Sequence, residues 1–112
     1  MQRDEGALID IVRAMRLAID FAGDLTPDRL EADELTFSAF QHQLMVMGEA
    51  VKRLSPAFIA AHPGLPWSEM AGMRDRLIHR YDEVDARIVC AALHDELPAM
   101  LEKLKPLVPG QS

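Results

Sequence analysis

Asp33–Glu34–Leu35–Thr36–Phe37–Ser38–Ala39–Phe40–Gln41–His42–Gln43–Leu44–Met45–Val46–Met47–Gly48–Glu49–Ala50–Val51–Lys52–Arg53–Leu54 decides the fold. Phe37, Phe40, Leu44, Met47, Val51 and Leu54 recur at intervals of three and four. The spacing predicts a helix over residues 33–54, packed nearly antiparallel against others in a bundle. Gly48 sits inside it at a cost of about 1 kcal/mol relative to alanine. Its expected reason is close approach of another helix, or of the same helix in a second subunit.

The flanking sequence has the same character. Leu8, Ile11, Val12, Met15, Ile19 and Ala22 place a helix over residues 5–22, ended by Gly23 and Asp24. Leu17, Ala18 and Phe21 widen its apolar stripe, which predicts more than one partner helix. Thr26 and Pro27 open a short turn of helix to Leu30. Ser55–Pro56 starts another, to about Ala61, followed by the rigid turn His62–Pro63–Gly64–Leu65–Pro66. Trp67 and Ser68 open a helix that runs through Met70, Met73, Leu77 and Ile78 and ends near Tyr81, where Asp82–Glu83–Val84–Asp85 breaks the pattern. Asp85 is the expected cap of a last helix, whose stripe is Ile88, Val89, Ala92, Leu93, Leu97, Met100, Leu101 and Leu104. Pro98 should kink that helix, and a loose tail is expected from about residue 106. With no repeat or linker, residues 1–112 read as one domain.

Composition agrees with an all-α fold. Of the 112 residues 49% are hydrophobic but only 5% aromatic, so the core is aliphatic, with seven methionines. The net charge of -6 argues against a general nucleic-acid coat, which needs broad positive potential. A small basic site on an acidic body remains open. The single Cys90 excludes an internal disulfide and a CxxC motif, and suits a reducing compartment. No apolar run reaches membrane length, so a cytoplasmic protein with no membrane partner is expected.

One stretch departs from the acidic background: Met73–Arg74–Asp75–Arg76–Leu77–Ile78–His79–Arg80–Tyr81. On a helix Arg74 and Tyr81 share a face, and Asp75 is one turn before His79. Arg74 and His79 lie about 140° apart around the axis, so they converge only if the helix end is distorted or a second molecule contributes. The residue types suit phosphodiester chemistry. A guanidinium fork matches phosphate oxygens, and an imidazole moves a proton near neutral pH. RNA carries its own nucleophile, the 2′-hydroxyl, so an arginine and a histidine suffice without a metal. The competing reading is structural, because basic residues at a helix C-terminus are favoured by the helix dipole.

Arg74-x4-His79-x-Tyr81 resembles the Arg-x4-His-x-Tyr motif of the HepT-like toxins, within the HEPN superfamily of helical-bundle ribonucleases. Met47–Gly48–Glu49–Ala50–Val51–Lys52–Arg53–Leu54–Ser55–Pro56 resembles the family's Gly-Glu-Ala segment and turn, and His62–Pro63–Gly64–Leu65–Pro66–Trp67 its His-Pro-x-x-Pro-Trp run. Leu97–Pro98 also fits, and the likeness extends from the first helix to about Leu104. The resemblance implies a HEPN-like bundle of four to five helices that pairs as a homodimer, with two motifs facing one cleft. It implies a metal-independent endoribonuclease toxin with no cofactor. It also implies an MntA-like nucleotidyltransferase antitoxin that transfers AMP to the motif tyrosine. Carried over, Arg74 stabilises the scissile phosphate, His79 is general base or acid, and Tyr81 is the modification site. Many members have asparagine where this chain has Asp75, a change that bears on the rate.

The remaining polar residues read as structural. Glu49 is expected to pair with Arg74 across the bundle. His42, His62 and His94 share no ligand spacing and read as surface or turn residues. Trp67 reads as a core anchor under its turn, the methionines as packing, and Lys52 and Arg53 as a solvated helix face. Two alternatives to a ribonuclease stay open: a non-catalytic, substrate-binding partner of a minimal nucleotidyltransferase, and a plain helical interaction protein.

Overall fold

In the computed structural model α1 covers Gln2–Ala22, α2 Pro27–Ala32, α3 Glu34–Arg53 and α4 Pro56–Ala61. Residues 67–72 form α5. The last run consists of α6 (Ala86–Ala91), a π-helical turn (Ala92–Glu96), α7 (Leu97–Leu104) and a 3₁₀ turn (Lys105–Leu107). The structure describes residues 2–72 and 86–108. Arg74, Asp75, His79 and Tyr81, and the expected cap Asp85, lie outside the described residues. Among the described residues every regular element is helical, so the chain is an all-α bundle, as its periodicity predicts.

The helix starts follow local chemistry. The Thr26 hydroxyl accepts from the Arg29 N–H at 3.3 Å, and Pro27 occupies the first turn of α2, where its missing donor costs nothing. Asp33 caps α3, accepting from the Thr36 N–H at 3.2 Å and the Thr36 hydroxyl at 2.7 Å. The Ser55 hydroxyl caps α4 by accepting from the Phe58 N–H at 3.1 Å. Gly23 ends α1 with φ at 50°, a left-handed conformation that glycine adopts without strain.

α1 packs chiefly on α3, and the last run closes over α1 through the π turn and α7. Leu8, Ile11, Val12 and Met15 of α1 meet a core shared with Phe40, Leu44, Met47 and Val51 of α3. Val89, Leu93, Leu97, Met100 and Leu104 bring the last run into the same core. α1 and α3 run antiparallel, because the start of one is bonded to the end of the other. Arg3 Nε donates to the Arg53 carbonyl at 3.0 Å, and Arg53 reaches Asp10 at 2.6 Å. Both ends of that ion pair are partly exposed, so it contributes at most about 1 kcal/mol. The stronger tie is buried. The carboxylate of Asp4, only 4% exposed, accepts from the Ser55 N–H at 2.7 Å and the Ser55 hydroxyl at 2.8 Å.

Three expectations change. Ala18 is buried, but Leu17 is 38% and Phe21 72% exposed, so no partner helix among the described residues covers that part of the stripe. The turn before Pro98 widens into a π-helix, which absorbs a residue that cannot donate to the carbonyl one turn back. His94 ties this turn to the α1–α2 loop: its Nε2 faces the Leu25 carbonyl at 2.7 Å and must be the donor. Residues 106–108, expected to be loose, pack on the bundle. Pro106 sits in the first turn of the 3₁₀ segment, where an N–H is not needed, and Val108 is buried in the core.

Two measurements test this packing. Leu44 is 1% exposed and Leu35 82%. Urea denaturation should show a loss of about 2–5 kcal/mol for Leu44→Ala and a change within about 0.5 kcal/mol for Leu35→Ala. The second concerns Asp4, whose carboxyl is held below its ordinary value of 3.8, chiefly by the Ser55 N–H. A carboxyl with a depressed folded value stabilises the fold above its unfolded value, and that contribution disappears as pH falls through the folded value. Asp4→Asn should therefore lower the urea midpoint at pH 7. It should also shrink the midpoint difference between neutral and acid solution relative to the parent. An unaltered difference would remove Asp4 as a contributor.

Candidate functional site

The described part of the candidate site is the approach to Arg74: the end of α3, α4, the two-proline turn, and α5. Ser55 occupies the corner. Its N–H and hydroxyl are held by Asp4 while its oxygen caps α4, so the start of α1 fixes where α4 begins. Phe58, one turn into α4, lies against two rings. Its centroid is 4.7 Å from the His62 imidazole and 6.0 Å from the Trp67 ring, the latter nearly edge-on at 61°. The indole Nε1–H of Trp67 donates to the His62 carbonyl at 2.9 Å, which closes the turn across its own ends.

Backbone bonds tighten the same turn. Leu65 donates to the His62 carbonyl at 3.3 Å, and Trp67 to the Leu65 carbonyl at 2.9 Å. Met70 donates to the Pro66 carbonyl at 3.1 Å, which starts α5. Trp67 and Met70 are buried in the common core. Trp67 is thus the core anchor its sequence position suggested, with a polar handle satisfied inside the turn. The chain passes directly from α5 into the Met73–Tyr81 stretch.

The other groups singled out in the sequence fall in different places. Glu49 is exposed on α3, and the pairing with Arg74 expected for it involves a residue outside the described ones. Gly48 is buried beside Met47. Lys52 is exposed, and Arg53 is engaged by Asp10. His42 is exposed, His62 half-buried in its turn, and His94 bonded to Leu25. Among the described residues no group of three His, Cys, Asp or Glu side chains is placed to hold a metal ion. Cys90 is a buried free thiol, and burial pushes its pKa up, which makes it a poor nucleophile. No described helix is long and apolar enough to cross a membrane.

Two features were missed in the sequence. Asp4 reads as one more charge near a helix start, and its partner is 51 positions away. The second is an open groove of about 300 Å³ along the outer side of α1, where Ile9, Val12, Leu17 and Val108 supply apolar surface beside Arg13 and Arg16. Only the surplus width of the α1 stripe hinted at it.

Comparison with known proteins places this architecture. The family model described as "Ribonuclease HepT-like" matches residues 11–107. "Putative RNase MJ0127" of Methanocaldococcus jannaschii is 36% identical over 101 residues, spanning 90% of this chain and 84% of that protein. "Probable ribonuclease HepT" of Thermococcus cleftensis is 35% identical over 100 residues, 89% of this chain and 91% of its own. "Putative RNase TTE0752" of Caldanaerobacter subterraneus subsp. tengcongensis is 40% identical over 76 residues, 68% of each chain. No solved structure gives a significant match. The family match runs from the middle of α1 to the final 3₁₀ turn: this chain belongs to the HepT-like ribonuclease family.

Proposed function

We propose that this chain is the toxin of a toxin–antitoxin pair, a metal-independent endoribonuclease whose Arg74 and His79 act on the RNA phosphodiester. The family match over residues 11–107 carries the reading, since it spans the Arg74-x4-His79-x-Tyr81 stretch. Arg74 holds the non-bridging phosphate oxygens and stabilises the charge that builds on them as the phosphorus becomes five-coordinate. His79 moves a proton, either from the attacking 2′-hydroxyl or to the departing 5′-oxygen. Asp75, one turn before His79, is positioned in sequence to hold the imidazole and favour its charged form.

In the same proposal, residues 1–112 form a single domain that works as a homodimer. The five-residue spacing of Arg74 and His79 would set them about 140° apart on an ideal helix, and a second subunit would bring a partner set into reach. The exposed Leu17 and Phe21 on α1 give such a dimer apolar surface to bury. The cognate partner is an MntA-like nucleotidyltransferase that transfers AMP from ATP to the Tyr81 hydroxyl, adding bulk and a negative charge where RNA must bind. A second reading, a non-catalytic subunit that presents a substrate to such a transferase, is favoured by Asp75, whose carboxylate repels the RNA backbone.

The purified chain should cut RNA in the presence of EDTA. His79→Ala and Arg74→Ala, folded as the parent by circular dichroism, should each lose at least about 100-fold in rate. Parental rates in both variants would end the assignment. A parent that cuts no RNA but accepts AMP from the transferase would favour the second reading.

A further inference from the structure

We infer that the outer face of α3, from Leu35 to Val46, docks a second copy of this chain, antiparallel and about a two-fold axis near His42. The inference rests on the homodimer of the proposed function and gives it a surface. Leu35, Ser38, Ala39 and His42 are exposed, and Gln43, Met45 and Val46 are half-buried. At about 100° per residue these side chains cover one continuous side of the helix. The opposite side carries Phe40, Leu44, Met47 and Val51 into the core. From Leu35 to Gly48 the sequence holds no Asp, Glu, Lys or Arg.

The water-facing side of a helix ordinarily carries charge. The neighbouring α1 does so, with Glu5, Asp10, Arg13, Arg16 and Asp20 on its outer side, all at least partly exposed. A charge-free face with an exposed leucine and a methionine has instead the character of an interface core, from which charge is depleted. Ser38 and Ala39 are small enough to let two helix axes approach to about 8 Å.

The ends of the face choose the occupant. Asp33 and Glu34 stand at the start of α3, and Lys52 and Arg53 in its last turn. The helix dipole favours that arrangement within one chain, but it does not account for the bare middle. An antiparallel copy sets each acidic start toward the other copy's basic end. The face is therefore complementary to itself, as a two-fold interface requires. A partner of uniform charge would suit one end and be repelled at the other.

Sedimentation equilibrium over a dilution series tests this on the full-length chain, Ala39→Glu, Glu34→Lys, and Glu34→Lys combined with Lys52→Glu. Ala39→Glu places two carboxylates in the bare centre. It should raise the dimer dissociation constant at least about tenfold while keeping the parental circular dichroism spectrum. Glu34→Lys should also raise the constant, and adding Lys52→Glu should return it to within about twofold of the parent. Glu34 and Lys52 are about 27 Å apart along one helix, so such a rescue passes between copies. Should Ala39→Glu fail to fold, the charge exchange carries the test. A parent dimer that all three variants leave unaltered overturns the inference and leaves the homodimer standing on another face. A parent that stays monomeric throughout the series overturns both, while RNA cleavage in EDTA tests the ribonuclease reading separately.

Discussion

The antiparallel pairing of α1 with α3 is the constraint on which the rest depends, and Asp4 fixes its register. Aliphatic stripes alone leave two helices free to slide, because leucine against leucine is much the same one turn along. A buried carboxylate that must find donors is less permissive. Its oxygens take both the N–H and the hydroxyl of Ser55, so the first turn of α1 has one place to sit against the end of α3. The same serine begins α4, and from α4 the chain is held ring by ring to Trp67. Core register and the approach to the candidate site are therefore parts of one structure.

Much of this was legible in the sequence. Helices buried on one face repeat at three and four, so the stripes of α1, α3 and the last run could be read directly, as could the cap Thr26 and the helix start at Ser55–Pro56; the cap Asp33 was not. Trp67 after two prolines read correctly as an anchor. What the sequence left out is long-range. Nothing local distinguishes Asp4 from a solvated charge at a helix start, because its partner lies beyond two intervening helices. Phe21 widens the apolar stripe that Ile11 belongs to, yet it is 72% exposed and Ile11 fully buried, since the pattern does not say which faces find a neighbour. Pro98 announced strain but not its relief, a π-helical turn stitched to Leu25 by His94.

The candidate chemistry was legible in another way. Residue types and spacing at Arg74, His79 and Tyr81 fit phosphodiester cleavage, but spacing alone also fits a basic helix end. The segments at Gly48–Glu49, His62–Pro63 and Pro66–Trp67 resemble the ribonuclease family, and the family match over residues 11–107 agrees. On an ideal helix Arg74 and His79 would stand about 140° apart, which is the reason a second subunit belongs to the proposal.

The central claim is that one short stretch carries both the cleavage and its control. The most direct measurement is RNA cleavage by the parent chain and by Tyr81→Phe, each assayed after treatment with the proposed nucleotidyltransferase partner and ATP. The account predicts that the parent falls silent while Tyr81→Phe continues to cut. Silencing of both chains, or of neither, would contradict it.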